Sequence, residues 1–446
     1  MSKNIAMQTR AKKPTKIAKP TKQTTKTPTP KSSTKNTCQN ACKKVCKNQI
    51  FLPYSTQSID KRDIKRVKLA LKSPLLTQGE LCEEFERKIA QYVGTKYALC
   101  FNSATSALYC AYRALFKQGE LVITTPNSFV ATANMLLACG AEPIFADILP
   151  NGNISVESIK SILENKTGKN TPQNQRKINN GTQRKINPNN QRKISGIVSV
   201  DFAGNSVDTK SIKSLAKAYN LAFVSDSSHA FGGEVNGRKI GSFADVSIFS
   251  FHAIKPITTA EGGAITTNDK KIYEMAKSLR SHGLRKILLW DSEVQDFGFN
   301  FRLNELQAAL GLSQLEKIDE FLAKREKIAE IYDEAFCENP YFTPTHAQIL
   351  PNYKTTNHLY PILLKPKFVP QKEAIFRGLQ ARGLGVQVHY KPIFDYALYK
   401  KCARDNGSNA KKWYDAEISL PLHQAMSKKE VKYCIKHTLE SFKSAF

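Results

Sequence analysis

Ser250-Phe251-His252-Ala253-Ile254-Lys255-Pro256, running on to Thr259-Ala260-Glu261-Gly262-Gly263-Ala264, places one lysine just beyond the apolar run Val246-Ser247-Ile248-Phe249. Upstream, a second short run, Ala222-Phe223-Val224-Ser225, ends on Asp226, with Ser227-Ser228-His229 behind it. Both runs have the length and the aromatic and β-branched content of buried strands. A lysine and an aspartate that each leave a buried strand end are two groups that pyridoxal 5'-phosphate needs: an amine to hold its aldehyde and an anion beside its pyridine nitrogen. Lys255 is nucleophilic only when neutral, so a partly desolvated site suits it. Pro256 pushes Lys255 out of helical geometry and toward a turn. Asp226 raises the pKa of the pyridine nitrogen, and protonation makes the ring an electron sink. His229 is placed to reach the same ring near its phenolic oxygen.

A phosphate needs clustered donors. Asn102-Ser103-Ala104-Thr105-Ser106-Ala107-Leu108 supplies them at the start of a helix predicted over Ser106–Leu115, where free backbone amides and the helix dipole favour an anion. Ala104, Thr105 and the Ser250 hydroxyl are the candidate cradle, and Phe129 is a candidate to stack on the ring. Around these positions helical and strand patterns alternate. Asp60–Leu71 and Leu81–Tyr92 have helical periodicity; Leu121–Thr124, Pro143–Ala146, Ile197–Asp201, Ala222–Ser225, Val246–Phe249 and Ala264–Thr266 are short β-rich runs. The alternation predicts an α/β fold with a mostly parallel sheet covered on both faces and active groups at strand ends. A long helical stretch, Leu303–Phe336, precedes runs such as Leu359–Leu363 and Val386–His389, which predict a smaller C-terminal α+β domain. The division is a tail over 1–50, a large domain over 51–300 and a small domain over 301–446.

The chain has 446 residues and a formal net charge of +29, but the charge is unevenly placed. Residues 1–50 carry 13 Lys/Arg and no acid, residues 165–195 carry 8 and no acid, and the remaining body has a net charge of +8. The first segment reads as a disordered basic tail. The second repeats Gln-Arg-Lys-Ile at 175–178, 183–186 and 191–194 and reads as a low-complexity insertion in a surface loop. Nucleic acid is not the expected partner, and binding through these segments would at most be an added role. Cys38, Cys42 and Cys46 could share a helix face, but their spacing matches neither a zinc pair nor a common iron–sulfur arrangement, and no metal site is expected. The ten cysteines are scattered, and neither a membrane-length apolar run nor a secretory signal is present, so the expectation is a cytoplasmic enzyme in a reducing compartment.

The ordered set Leu76-Thr77-Gln78-Gly79, Asn102–Leu108, Asp226 with His229, Ser250–Lys255, Glu261-Gly262-Gly263 and Gly298-Phe299-Asn300-Phe301-Arg302-Leu303-Asn304-Glu305 resembles the DegT/DnrJ/EryC1/StrS family of sugar aminotransferases. The resemblance covers Phe51–Phe446 apart from the insertion. It implies a fold-type I transferase (aspartate aminotransferase-like), pyridoxal 5'-phosphate on Lys255, Asp226 as pyridinium partner, and Ser250, Ala104 and Thr105 at the phosphate. It also implies a homodimer in which Asn300 contacts the phosphate in the neighbour's site, with Arg302 as a companion. His389 and Tyr390, in Gln387-Val388-His389-Tyr390-Lys391-Pro392-Ile393, lie where the family's C-terminal segment approaches the sugar nucleotide. The wording of these motifs is similar to members that move an amino group from L-glutamate to C4 of a UDP-4-keto-6-deoxy-N-acetylhexosamine in pseudaminic acid biosynthesis. Another nucleotide keto-sugar, UDP- or dTDP-linked and aminated at C3 or C4, is the alternative. Family relatives that act as pyridoxamine-dependent dehydratases carry histidine in place of the lysine, and Lys255 sets this chain apart from them.

Overall fold

A computed structural model describes residues 51–167, 192–345, 352–405 and 408–443. From Lys61 the chain forms α1 (Lys61–Ala70), α2 (Glu80–Val93), β1 (Tyr97–Phe101), α3 (Ala104–Leu115), β2 (Leu121–Thr124), α4 (Ala131–Ala138), β3 (Glu142–Phe145) and α5 (Val156–Thr167). It continues through β4 (Ile194–Val200), α6 (Thr209–Ala218), β5 (Ala222–Asp226), β6 (Val246–Ser250), β7 (Gly263–Thr267) and α7 (Lys270–Arg280). The seven strands make one sheet in the order β1-β7-β6-β5-β4-β2-β3. From β6 to β3 every neighbouring pair is parallel, and β7 is antiparallel to both β1 and β6. Such a sheet is buried on both faces, which is why its strands read as nearly continuous apolar runs rather than alternating ones. On one face α3 and α7 bring Leu108, Tyr112 and Leu279 against Val224, Ile248 and Ile265. On the other, α2 packs Phe85 and Ile89 with Phe249 and Phe251, while α5 and α6 pack Ile159 and Ile212 with Ile123, Ile197 and Phe223.

β1 was not among the runs predicted from sequence. Tyr-Ala-Leu-Cys-Phe has no β-branched residue, and its place in the sheet comes from the antiparallel partner β7 rather than from its own propensity. The predicted helical stretch Leu303–Phe336 is two helices, α8 (Glu305–Leu315) and α9 (Ile318–Phe336). The break at Lys317 turns its buried ammonium onto Asp63 of α1, 2.6 Å away, where Gln314 also donates at 3.1 Å. Continuous helical periodicity does not reveal a break whose cause lies about 250 residues away.

Further along are β8 (Phe342–Pro344), β9 (Tyr360–Leu364), α10 (Lys372–Ala381), α11 (Ser408–Ala416), β10 (Glu417–Leu420) and α12 (Lys428–Lys443). The order β8-β9-β10 is antiparallel throughout, and its core includes Tyr332, Phe342, Ile362, Ile375, Ile418 and Phe442. The Val386–His389 run contributes only an isolated bridge, Gln387 to Ser419. α5 runs through Thr167 and β4 begins at Ile194, so the expected insertion over 165–195 gives up residues at both ends to regular elements. Residues 168–191, the 1–50 tail, and Cys38, Cys42 and Cys46 lie outside the described residues. The seven cysteines among the described residues are all free. Among those residues no helix is long and apolar enough to cross a membrane.

Candidate active site

Three strand ends meet in register. Phe101 at the end of β1 pairs with Gly263 at the start of β7, and Gly263 pairs with Ser250 at the end of β6. Two residues past Phe101, Ser103 caps α3, its hydroxyl accepting from the Ser106 amide at 3.1 Å. Ala104 and Thr105 therefore stand in the first turn, where backbone amides have no acceptor within the helix. A Cβ on Gly263 would fall 2.4 Å from the Ala104 nitrogen, so only glycine lets β7 run this close beneath the helix start. The spacing accounts for the second glycine of Glu261-Gly262-Gly263 and sets Gly263, the register partner of Ser250, against Ala104.

Asp226 is the last residue of β5. Its buried carboxylate accepts from the Thr132 hydroxyl at 2.7 Å and from the Ser228 hydroxyl and amide at 2.5 and 3.2 Å. Phe129 belongs to the same turn into α4 as Thr132 and is itself exposed. Lys255 sits in a turn closed by its amide on the His252 carbonyl, and Ser55 fixes that turn by donating to the Ile254 carbonyl at 3.1 Å. Burial pushes the Lys255 amine down to about 7; the Asp226 carboxylate opposes this shift and the Arg325 charge adds to it. A buried amine in this range is neutral in large part near neutral pH, which nucleophilic and proton-transfer chemistry requires.

His229 is held well below the usual imidazole range, first by burial and then by the Lys255 charge. Its Nδ1 accepts from the Ala203 amide at 3.3 Å, which assigns the ring proton to Nε2, and Nε2 faces the Tyr390 hydroxyl at 3.4 Å. Tyr390 is fixed by its amide donating to Asn127 Oδ1 at 3.0 Å. His389 is also neutral, pushed down to about 3 by burial and the Lys255 charge, and its Nδ1 meets the Ser419 hydroxyl at 2.8 Å. The C-terminal segment is thus joined to the β5 end. Asn300 and Arg302 border the cradle from another side: the Asn300 carbonyl accepts from Asn102 Nδ2 at 3.4 Å, and Arg302 bridges Phe101. The Asn300 residue is exposed.

Three neighbours escaped the sequence reading. Thr132 reads as an ordinary helical threonine until its hydroxyl is seen on Asp226. His358 places Nε2 3.4 Å from the Lys255 amine, and nothing local links two residues 103 positions apart. Arg325 is fully buried and, among the described residues, donates to Gln424 and to the carbonyls of Asn357, His358 and Leu422 rather than to a carboxylate. A cleft of about 1330 Å³ passes Glu86, Arg280 and Arg302 but is not lined by Lys255, Asp226 or Ser250, so volume alone would misplace the chemistry.

The donor set fits pyridoxal phosphate. The α3 start and Ser250 would offer amides and a hydroxyl to the phosphate, the buried Asp226 carboxyl would face the pyridine nitrogen, and Lys255 would offer its amine to the aldehyde. Comparison with known proteins agrees. The DegT/DnrJ/EryC1/StrS aminotransferase family matches residues 57–438. A Campylobacter jejuni (strain 81-176) UDP-4-amino-4,6-dideoxy-N-acetyl-beta-L-altrosamine transaminase is 44% identical over 391 residues, covering 87% of this chain and 97% of the relative. A Helicobacter pylori (strain 26695) protein of the same name is 45% identical over 397 residues, covering 87% and 98%. The solved structure of Helicobacter pylori PseC, an aminotransferase involved in the biosynthesis of pseudoaminic acid, superposes with a TM-score of 0.79 at 44% identity over 89% of this chain and all of that one. The Streptococcus pneumoniae protein Spr1654, solved in a PLP form, superposes with a TM-score of 0.77 at 26% identity over 89% of this chain and 100% of that one. With its cradle, its lysine in the turn after β6 and a family match over residues 57–438, the chain belongs to the DegT/DnrJ/EryC1/StrS aminotransferase family.

Proposed function

We propose that the protein is a pyridoxal phosphate-dependent transaminase that moves the amino group of L-glutamate to C4 of UDP-2-acetamido-2,6-dideoxy-β-L-arabino-hexos-4-ulose, in pseudaminic acid biosynthesis. The observation that carries the reading is the convergence of Asp226 at the end of β5, Ser250 at the end of the adjacent β6 and Lys255 in the buried turn that follows, beside the α3 start. The choice of sugar is supported by relatives 44% and 45% identical to this chain that bear the name of that transaminase. Pyridoxal phosphate, when bound, supplies an electron sink and carries the amino group between the two substrates.

The chain's own residues do the rest. Lys255 takes the proton from the α-carbon of glutamate and in the second half returns one to C4 of the sugar. Asp226, fixed by Thr132 and Ser228, holds the positive pyridine nitrogen. Ser250 and the amides of Ala104 and Thr105 bind the phosphate, and His229 offers its Nε2 proton to the ring's oxygen side. His389, Tyr390 and Arg302 border the sugar nucleotide. The working unit is a homodimer, each protomer lending Asn300 to the other's phosphate site; the exposure of Asn300 supports this assignment.

Purified protein is expected to show a visible cofactor band that L-glutamate removes and the UDP-4-keto-sugar restores. Against a panel of UDP- and dTDP-linked 3- and 4-keto-sugars, kcat/KM for the UDP-4-keto-sugar should lead by about 100-fold or more, the cost of one or two buried polar groups that the wrong substrate leaves unpaired. A Lys255→Ala protein that keeps the band and turns over would overturn the assignment.

A further inference from the structure

Lys255 has a neighbour with no role so far. His358 lies just before β9, far from Lys255 in sequence, yet its Nε2 is 3.4 Å from the Lys255 amine. The ring is held in place from several directions. Its backbone amide donates to the Ala203 carbonyl at 3.0 Å, and its carbonyl accepts from Arg325 at 3.4 Å. Its face lies 4.4 Å, centroid to centroid, from the ring of His229, and the Thr356 hydroxyl ties the same segment to the His229 carbonyl at 2.6 Å. Among the described residues His358 Nδ1 is buried and has no hydrogen-bond partner, so the Lys255 amine is the polar group that the imidazole meets. A buried imidazole this constrained, with one polar contact and that contact on a reacting atom, has more order than packing alone requires.

Resting on the transaminase reading, we propose that His358 is a further catalytic residue: its Nε2 accepts a hydrogen of the Lys255 amine and so aims that amine's lone pair at the carbon from which it removes a proton. The 3.4 Å contact admits two tautomers, and we take the one that leaves the base free. With its proton on Nε2, His358 would donate to the lone pair and block the base. With its proton on Nδ1, Nε2 accepts an amine hydrogen, and the lone pair stays available. Charge supports the neutral form: burial is the main cause that holds His358 below the usual imidazole range, and the charges of Lys255 and Arg325 work in the same direction. A neutral acceptor can serve the amine both before and after it gains a proton, and the contact strengthens when the amine becomes an ammonium.

The groups facing this contact are Asp226, His229, Arg325 and His389. They are kept in the test, and only His358 is changed, to Phe and to Gln. In the full-length chain freed of cofactor, trace acetylation of Lys255 read by mass spectrometry across pH gives the amine's midpoint. Losing an acceptor that favours the ammonium should lower that midpoint in His358→Phe, and His358→Gln, which keeps an acceptor, should recover part of the shift. In the holoenzyme, single-turnover loss of the visible band with glutamate should slow by about 100-fold in His358→Phe, the lower range of a positioned acid–base contribution, with cofactor affinity within about threefold of wild type. An unchanged midpoint, or a slowing matched by an equal loss of cofactor affinity, overturns the proposal. If the wild-type band does not respond to glutamate, the transaminase reading fails, whereas the acetylation midpoints still decide whether His358 holds the amine.

Discussion

At the scale of single residues, burial holds the basic groups of the site toward their neutral forms, and for Lys255 that form is one it would not take in water. Lys255, His229, His358 and His389 are all pushed toward neutrality by burial, and around them Asp226 is the carboxylate that opposes the shift at Lys255. This has a consequence for stability whose sign can be derived. An unfolded lysine keeps its proton up to about 10.5, whereas folded Lys255 loses it near about 7. Between those values the unfolded chain binds more protons, so this group's contribution to stability rises with pH. The burial penalty is full below pH 7 and fades toward 10.5. Lys255→Met removes the group, so the cofactor-free variant should melt above wild type near pH 6.5, with the gap closing as the pH is raised to 9.5. A pH-independent gap, measured by thermal denaturation, would show that Lys255 is not desolvated as described.

At the scale of elements, one contact shapes the cradle and another joins distant helices, and both are testable. Gly263 lets β7 pass beneath the start of α3 with no room for a Cβ. Gly263→Ala must displace backbone rather than a flexible side-chain end, so the phosphate cradle moves while the sheet persists. Cofactor affinity should fall by about tenfold or more, the effect of losing one charge-assisted hydrogen bond or so, and equilibrium dialysis would measure it. Lys317 and Asp63 form a buried pair that locks α1 against the α8–α9 break, with side-chain exposures of 3% and 1%. Lys317→Met leaves a buried carboxylate without its cation and should cost about 3–5 kcal/mol in denaturant unfolding, whereas Lys317→Met with Asp63→Leu should recover much of that loss.

These contacts also mark what could be read from sequence. The strand runs that end at Asp226 and Ser250 declared themselves, because parallel strands buried on both faces are locally apolar. The donor cluster at Ser103–Thr105 was equally local. The Lys317 break, the Thr132 hydroxyl on Asp226 and the His358 ring on Lys255 depend on partners tens to hundreds of positions away, and no window of sequence contains both halves of those contacts.

At the scale of the whole molecule, the question is whether one chain completes its own site. The described surface carries a hairpin, Leu284–Lys286 paired with Ser292–Val294, that exposes Leu289 at 89% and Trp290 at 83%, with Phe297 at 71% beyond it. Asn300 follows on the same segment, at the border of the cradle. Large apolar side chains exposed along one segment are what an interface would cover, and a two-fold dimer would bury them from both sides. If Asn300 serves the neighbour's phosphate, the two halves of one site can be disabled in different chains. Lys255→Ala destroys the site of its own protomer, and Asn300→Asp, by setting a carboxylate against a phosphate, destroys that of the neighbour. Each variant alone should be nearly inactive. After the two are mixed in equal amounts and subunits exchange, half the dimers are mixed, and each mixed dimer has one site with a native lysine and a native asparagine. Activity should therefore recover to about a quarter of wild type, the value set by random pairing in a two-fold dimer. If Asn300 served its own chain, the intact lysine and intact asparagine would never share a site, and mixing would recover nothing.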